Sequence, residues 1–294
     1  MSSDERKFYN QQVSDKQKPE RLINLNVIEP KSVLNVSAMG GFTLNPYAGC
    51  TVGCAYCYVP HMRHKQLEAR KWGGYVDVKS GAVELLDRQL AKLKKPTKVF
   101  MSTATDPYQP VEAQYKITRR MLEIFARHPQ HALFILTKQP LVERDVDILV
   151  RLPRVAVGMS FSVMTDGLAR LLEPWAPVTS ERLAIIKRLT SHGIATYFLW
   201  APVIVPAPMT EAFVVDSVGA IIETGTGALS LDTLNYRSKQ SPGFFRRLRR
   251  ENHAPASDAQ VKLLRAEVDR QGLGHRLASV EPATDEDRAP MLPF

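Results

Sequence analysis

The sequence predicts an α/β protein built on a parallel sheet, and three observations carry that reading. Six short apolar runs alternate with amphipathic stretches of about a dozen residues, the pattern of repeated β/α units. The 294 residues are 44% apolar and 23% charged, enough to bury one large core or two small ones, and neither disordered nor collagen-like in composition. The chemically suggestive residues fall at the C-terminal ends of the runs, where both doubly wound sheets and β/α barrels carry function. The repeats occupy about 200 residues, short of the roughly 250 of an eight-unit barrel. Either a doubly wound sheet or a barrel of fewer than eight units fits.

The expected strands are Phe42–Tyr47, Lys98–Ser102, Ala132–Leu136, Val155–Phe161, Ala195–Trp200 and Ala228–Leu231. Ser80 is a candidate cap for a helix with Val83, Leu86, Leu90 and Leu93 on one face, stopped before Pro96. Ile117, Met121, Leu122 and Phe125 form the next stripe. Val142, Val146 and Leu149 form another, opened by Pro140 and ended before Pro153. Leu183, Ile186 and Leu189 follow, closed by Gly193. Thr210 caps a last helix of the repeat, with Phe213, Val214, Val218 and Ile221 on a face and Gly225 beyond its end. Residues 1–36 are polar and aperiodic and read as an extension, 37–236 as the core, and 237–294 as a basic helical extension with a helix-like stretch over Asp258–Arg270.

Lys and Arg number 39 against 30 Asp and Glu, a net charge of +9. Arg237 to Arg250 hold six basic side chains and no acid, so the rest of the chain carries only about +3. Only three cysteines occur, at Cys50, Cys54 and Cys57; an odd, clustered count excludes a disulfide framework and points to metal. The opening MSSDERKFYN has no apolar h-region, and the most apolar stretch, Ile194–Met209, is broken by prolines and too short for a bilayer. A cytoplasmic protein with reduced thiols and no membrane partner is expected.

The cysteine segment reads Asn45-Pro-Tyr-Ala-Gly-Cys50-Thr-Val-Gly-Cys54-Ala-Tyr-Cys57-Tyr58, directly after the first strand. Three thiolates at CxxxCxxC spacing, with Gly49 and Gly53 allowing tight turns, can converge on one inorganic centre. On a [4Fe–4S] cube, three protein ligands leave one iron open, which a reactive site needs and a structural site does not. A competing reading adds His61 as a fourth ligand in a Cys3His zinc site. Its gaps are short for a zinc finger, and it leaves the β/α array without a purpose; His61 and His64 then read as surface residues on the following helix.

The cysteine string, together with STATDPYQPVE from Ser102, LTKQP from Leu136, LLEPWAP from Leu171 followed by ERL, and FLWAPVIVP from Phe198, resembles the radical S-adenosylmethionine superfamily, in its spore photoproduct lyase-like branch. The resemblance covers residues 40 to 236. It implies a partial parallel (β/α)6 barrel and a [4Fe–4S] cluster on Cys50, Cys54 and Cys57. The open iron then binds S-adenosylmethionine, reductive cleavage gives a 5′-deoxyadenosyl radical, and that radical abstracts hydrogen from a substrate. By family position, Thr105 and Asp106 lie near the methionyl amine and Lys138 near its carboxylate. Ser160 and Ser162 can bond ribose hydroxyls, Ala201 and Tyr56 lie against adenine, and Tyr58 lies near the substrate. Glu173 and Arg182 recur in the family pattern and read as an ion pair fixing a helix. The resemblance also implies an external one-electron reductant of flavodoxin or ferredoxin type.

One departure stands out. The lyase returns a hydrogen atom from an additional cysteine just past its second strand, and the matching position here is Thr103. The chain has no fourth thiol, so the resemblance supports the radical generator and leaves the substrate open. Arg246, Arg247, Arg249 and Arg250 can neutralise phosphates while Phe244, Phe245 and Leu248 dock the helix. The reading from another class is therefore a non-catalytic, cluster-stabilised nucleic-acid-binding protein.

Overall fold

Alternate residues of each central strand enter two different cores. Val99 and Met101, and Leu133 and Ile135, join the large core beneath the helices, while Phe100 and Phe134 between them join a second cluster with Ala156, Tyr197 and Ala228. A strand buried on both faces reads as a continuous apolar run, as these do. The computed structural model describes residues 22–62, 70–234 and 242–274. His64, the 235–241 part of the basic segment, the first 21 residues and the tail from 275 lie outside them.

The chain order is β1 (Asn24–Ile28), β2 (Leu34–Val36), β3 (Phe42–Leu44), β4 (Tyr47–Ala48), β5 (Tyr75–Lys79), α1 (Ala82–Ala91), β6 (Lys98–Met101), α2 (Glu112–Tyr115), α3 (Ile117–Arg127) and β7 (Ala132–Thr137). It continues with α4 (Val146–Leu149), β8 (Val155–Phe161), α5 (Asp166–Leu172), α6 (Thr179–Ser191), β9 (Ala195–Trp200), β10 (Ile204–Pro206), α7 (Glu211–Ile222), β11 (Ala228–Leu231), α8 (Pro242–Arg250), β12 (His253–Pro255) and α9 (Asp258–Arg270). The main sheet runs β11-β9-β8-β7-β6-β3-β2. Its six expected strands are all parallel, and β2 adds an antiparallel edge on β3. The edges β2 and β11 do not pair with each other, so the sheet is a partial barrel. Phe100, Phe134 and Tyr197 line its concave side.

Four local expectations change. The first strand ends at Leu44; Tyr47–Ala48 turns away to pair antiparallel with β5, a strand without a clear sequence signal, and β5 also pairs parallel with β1. Ser80 does not cap α1: Gly81 does, at φ +66°, while Ser80 donates from its backbone and its hydroxyl to Ile28 O. The stretch opened by Pro140 is a 3-10 turn over Pro140–Asp145, and only Val146–Leu149 continues as α-helix. Two strands, β1 and β2, form within the aperiodic leading segment. Thr210 does cap α7, its hydroxyl accepting from Phe213 N at 3.2 Å. No helix among the described residues is long and apolar enough to cross a membrane.

Candidate active site

The cysteine loop leaves β4 through Gly49, at φ +76°. A Cβ there would lie 2.4 Å from the Tyr75 ring and 2.7 Å from its carbonyl oxygen, so only glycine passes. Gly49 O accepts from Thr105 Oγ1 at 2.5 Å, and Gln109 Oε1 accepts from Thr51 N at 3.0 Å. These bonds hold the chain on either side of Cys50 to the β6–α2 connection. Farther along, Ala55 N donates to Leu172 O at 2.8 Å and Cys57 N to Cys54 O at 3.2 Å. The three thiols thus face one cavity of about 410 Å³.

Burial pushes all three thiols up, Cys54 to about 12 and Cys57 to about 11. Thiolates are therefore unfavourable here unless they bond a cationic centre, and none of the three is in a disulfide. Among the described residues, no three His, Cys, Asp or Glu side chains crowd closely enough to hold a single ion. A zinc site needs four donors at about 2.0–2.3 Å from one atom; a cluster takes each thiolate on a different iron and suits thiols spread round a cavity. His61 is exposed on a 3-10 turn and does not line the cavity, so it supplies no fourth ligand. Ser102 does line it, its Oγ buried and without a hydrogen-bond partner among the described residues. Ser102 also sits at φ +74°, a conformation that costs a non-glycine residue roughly 1–2 kcal/mol. The donor set fits an iron–sulfur cluster with a polar ligand beside it.

Tyr56, Tyr58, Thr105, Asp106, Lys138, Ser160 and Ala201 share the cavity with the cysteines. Five strand ends deliver the site: β6 leads into Ser102–Asp106, β7 into Lys138, β8 carries Ser160, β9 leads into Ala201 and β11 into Asp232. The Asp106 carboxyl accepts from Thr137 Oγ1 at 2.7 Å, Tyr108 N at 2.9 Å and Lys138 N at 2.9 Å. Those bonds tie two strand ends together. Tyr58 is exposed and donates to Thr103 O, and Thr103 also lines the cavity. Ser162 lies outside the cavity lining; its hydroxyl donates to Glu173 at 3.1 Å and its carbonyl accepts from Trp200 Nε1 at 2.8 Å.

Sequence reasoning missed how far Glu173 reaches. Wholly buried, it accepts from Tyr56 OH, Arg182 Nη2, Ser162 Oγ and Lys138 Nζ, the last at 3.2 Å. Burial raises its pKa, but the Arg182 and Lys138 charges outweigh that and bring it down to about 2. Lys138 also donates to Ser160 Oγ at 3.1 Å, and Arg182 to Ser160 O at 2.7 Å. The ion pair expected to fix a helix therefore also anchors three cavity residues. The available signal was the glutamate directly after Leu171 and Leu172, which by itself does not reveal partners 35 and 117 positions away.

The model of the radical SAM superfamily matches residues 44–203, the stretch from the end of β3 to the loop after β9. The chain belongs to the radical SAM superfamily. Among its relatives, an uncharacterised protein of Methanocaldococcus jannaschii is 32% identical over 184 residues, 62% of this chain and 68% of that one. A radical SAM Nα-GlyT isomerase of Pseudomonas phage M6 is 28% identical over 160 residues, 54% of this chain but only 32% of its own length. Spore photoproduct lyase, solved with a dinucleoside spore photoproduct, shares the fold at a TM-score of 0.60 and 13% identity, over 84% of this chain and 79% of the lyase. This radical SAM protein is thus an enzyme that uses a [4Fe–4S] cluster and S-adenosylmethionine, and it needs a reductant. The non-catalytic reading falls with that membership.

Proposed function

We propose that Cys50, Cys54 and Cys57 hold the cluster and that Tyr56, Thr105, Lys138, Ser160 and Ala201 hold S-adenosylmethionine beside it. One observation carries the assignment: all eight residues line a single cavity at the C-terminal ends of the parallel strands. When bound, these groups supply one electron to the sulfonium and so a 5′-deoxyadenosyl radical that takes a hydrogen atom from the substrate. The chain's own residues position the reactants and keep out water. The Lys138 ammonium, held by Glu173 and Ser160, offers its charge to the methionyl carboxylate, and the Thr105 hydroxyl accepts from the amine. Asp106 keeps the Thr105 and Lys138 backbones in register. The Tyr56 ring and the backbone at Ala201 bracket the adenine, with Ser160 near the ribose and Ser162 supporting it through Glu173. Phe100, Phe134 and Tyr197 form an apolar wall on which a flat or apolar substrate group can lie.

Tyr58, the exposed aromatic beside Thr103, borders the substrate. Because Thr103 offers a hydroxyl in place of a thiol, this enzyme does not return a hydrogen atom by the lyase's route. The electron comes from a carrier of flavodoxin or ferredoxin type. The test is anaerobic reconstitution with iron and sulfide, then dithionite and S-adenosylmethionine. Parent protein is expected to release 5′-deoxyadenosine, and Cys50→Ala, Cys54→Ala and Cys57→Ala each to release none; a parent that binds zinc and yields no nucleoside overturns the assignment.

A further inference from the structure

Helix α8 carries Arg246, Arg247, Arg249 and Arg250, all exposed and none ion-paired with an acid among the described residues. Arg246 stands three and four residues from Arg249 and Arg250 and so meets like charge on its own face, a cost that the helix C-terminus relieves for only part of the set. The helix is nevertheless firmly seated. Phe244 and Leu248, each 1% exposed, share a core cluster with Tyr56, Leu172 and Leu234, and Cys54 and Ala55 pack at its margin. Arg247 Nη1 donates to Leu171 O at 3.4 Å, and the next carbonyl, Leu172 O, accepts from Ala55 N at 2.8 Å. One residue therefore separates the arginine helix from the loop joining Cys54 to Cys57. No residue of α8 lines the cavity. The arginines lie beside the cluster loop without opening onto the space where a substrate's reacting hydrogen must sit.

We infer that the arginine face of α8 is the docking surface for the reductant, an acidic one-electron carrier protein. The inference rests on the cysteine assignment above. An anionic macromolecule serving as substrate would have to present a group inside the cavity, whereas a carrier only has to approach the cluster ligands, which is what α8 permits. On docking, one electron leaves the carrier, oxidised by one unit, and reduces the cluster by one; no proton or atom crosses. Electron-transfer encounters need little buried area and gain their rate from complementary charge, so the signature is a salt-dependent on-rate.

The experiment compares the reconstituted full chain with a variant combining Arg246→Glu, Arg249→Glu and Arg250→Glu. An acidic flavodoxin in its hydroquinone form serves as one donor and dithionite as the other. The readouts are 5′-deoxyadenosine formation at low and high salt and flavodoxin affinity by surface plasmon resonance. Docking on α8 predicts a fall of about tenfold or more in the flavodoxin-driven rate and in affinity, with the dithionite-driven yield unchanged and the parent rate falling as salt rises. An unchanged flavodoxin rate and affinity overturns the inference. If the variant instead loses binding to a labelled DNA duplex while its flavodoxin kinetics stay parental, the helix belongs to nucleic acid. Should the glutamate variant reconstitute with less iron, the Arg→Gln triple variant decides by the same two comparisons. A parent inactive with dithionite that still binds flavodoxin through these arginines would sink the cysteine assignment and leave the docking surface standing.

Discussion

Glu173 balances two cations in the buried network, and removing its charge leaves both uncompensated. Glu173→Gln is expected to destabilise the apoprotein by about 3–5 kcal/mol, as loss of one member of a buried ion pair does, measured by urea unfolding at pH 7. Its carboxyl is held down at about 2 against an ordinary 4.5. The stabilisation is therefore complete above pH 4.5 and drains away as pH falls towards 2. About 3 kcal/mol rides on that window, and a urea series from pH 6 to pH 2.5 should show the fall in the parent and a flatter profile in the Gln variant. The cysteines and Lys138 were legible in the sequence because their chemistry is rare or because they end a strand. The role of Glu173 was not, because a carboxylate's partners are set by which helix packs over which strand end.

At the scale of elements, the cysteine loop works because β4 and β5 form a small sheet beside the barrel and Gly49 threads past Tyr75. Gly49→Ala must displace the Tyr75 ring or the loop, and it also forces alanine into the left-handed region at about 1–2 kcal/mol. We expect the variant to fold and to reconstitute with less than half the parental iron, measured by iron and sulfide assay; full iron content would show that the loop tolerates the shift. The six parallel strands were readable from their apolar runs. β5 was not, since Tyr75–Lys79 alternates only weakly and is paired by residues 47–48 and 24–28 on either side of it. Ser80 looked like a cap by residue type, but the positive φ at the helix start favoured Gly81 and left Ser80 to bond β1's end.

Across the whole molecule, an open barrel leaves its concave side available to a ligand, and ligand binding to the native state alone raises stability. With S-adenosylmethionine at about one hundred times its Kd, the cluster-loaded protein should gain about 2.7 kcal/mol, seen as a rise of several degrees in Tm. The proposed place of Cys57 on the cluster predicts no such rise in Cys57→Ala; an equal rise in both would place the ligand away from the cluster. By itself, the sequence carried the β/α order and the close spacing of its three cysteines, since both are local properties, and its motif strings resembled the radical SAM superfamily to which the chain belongs. Only the tertiary structure decided that Ser162 stands behind the cavity, that Glu173 ties Tyr56 to Lys138, and that the arginine helix rests on the cysteine loop. Each of these depends on side chains dozens of residues apart being packed together, and the energy that brings them there belongs to the shared core.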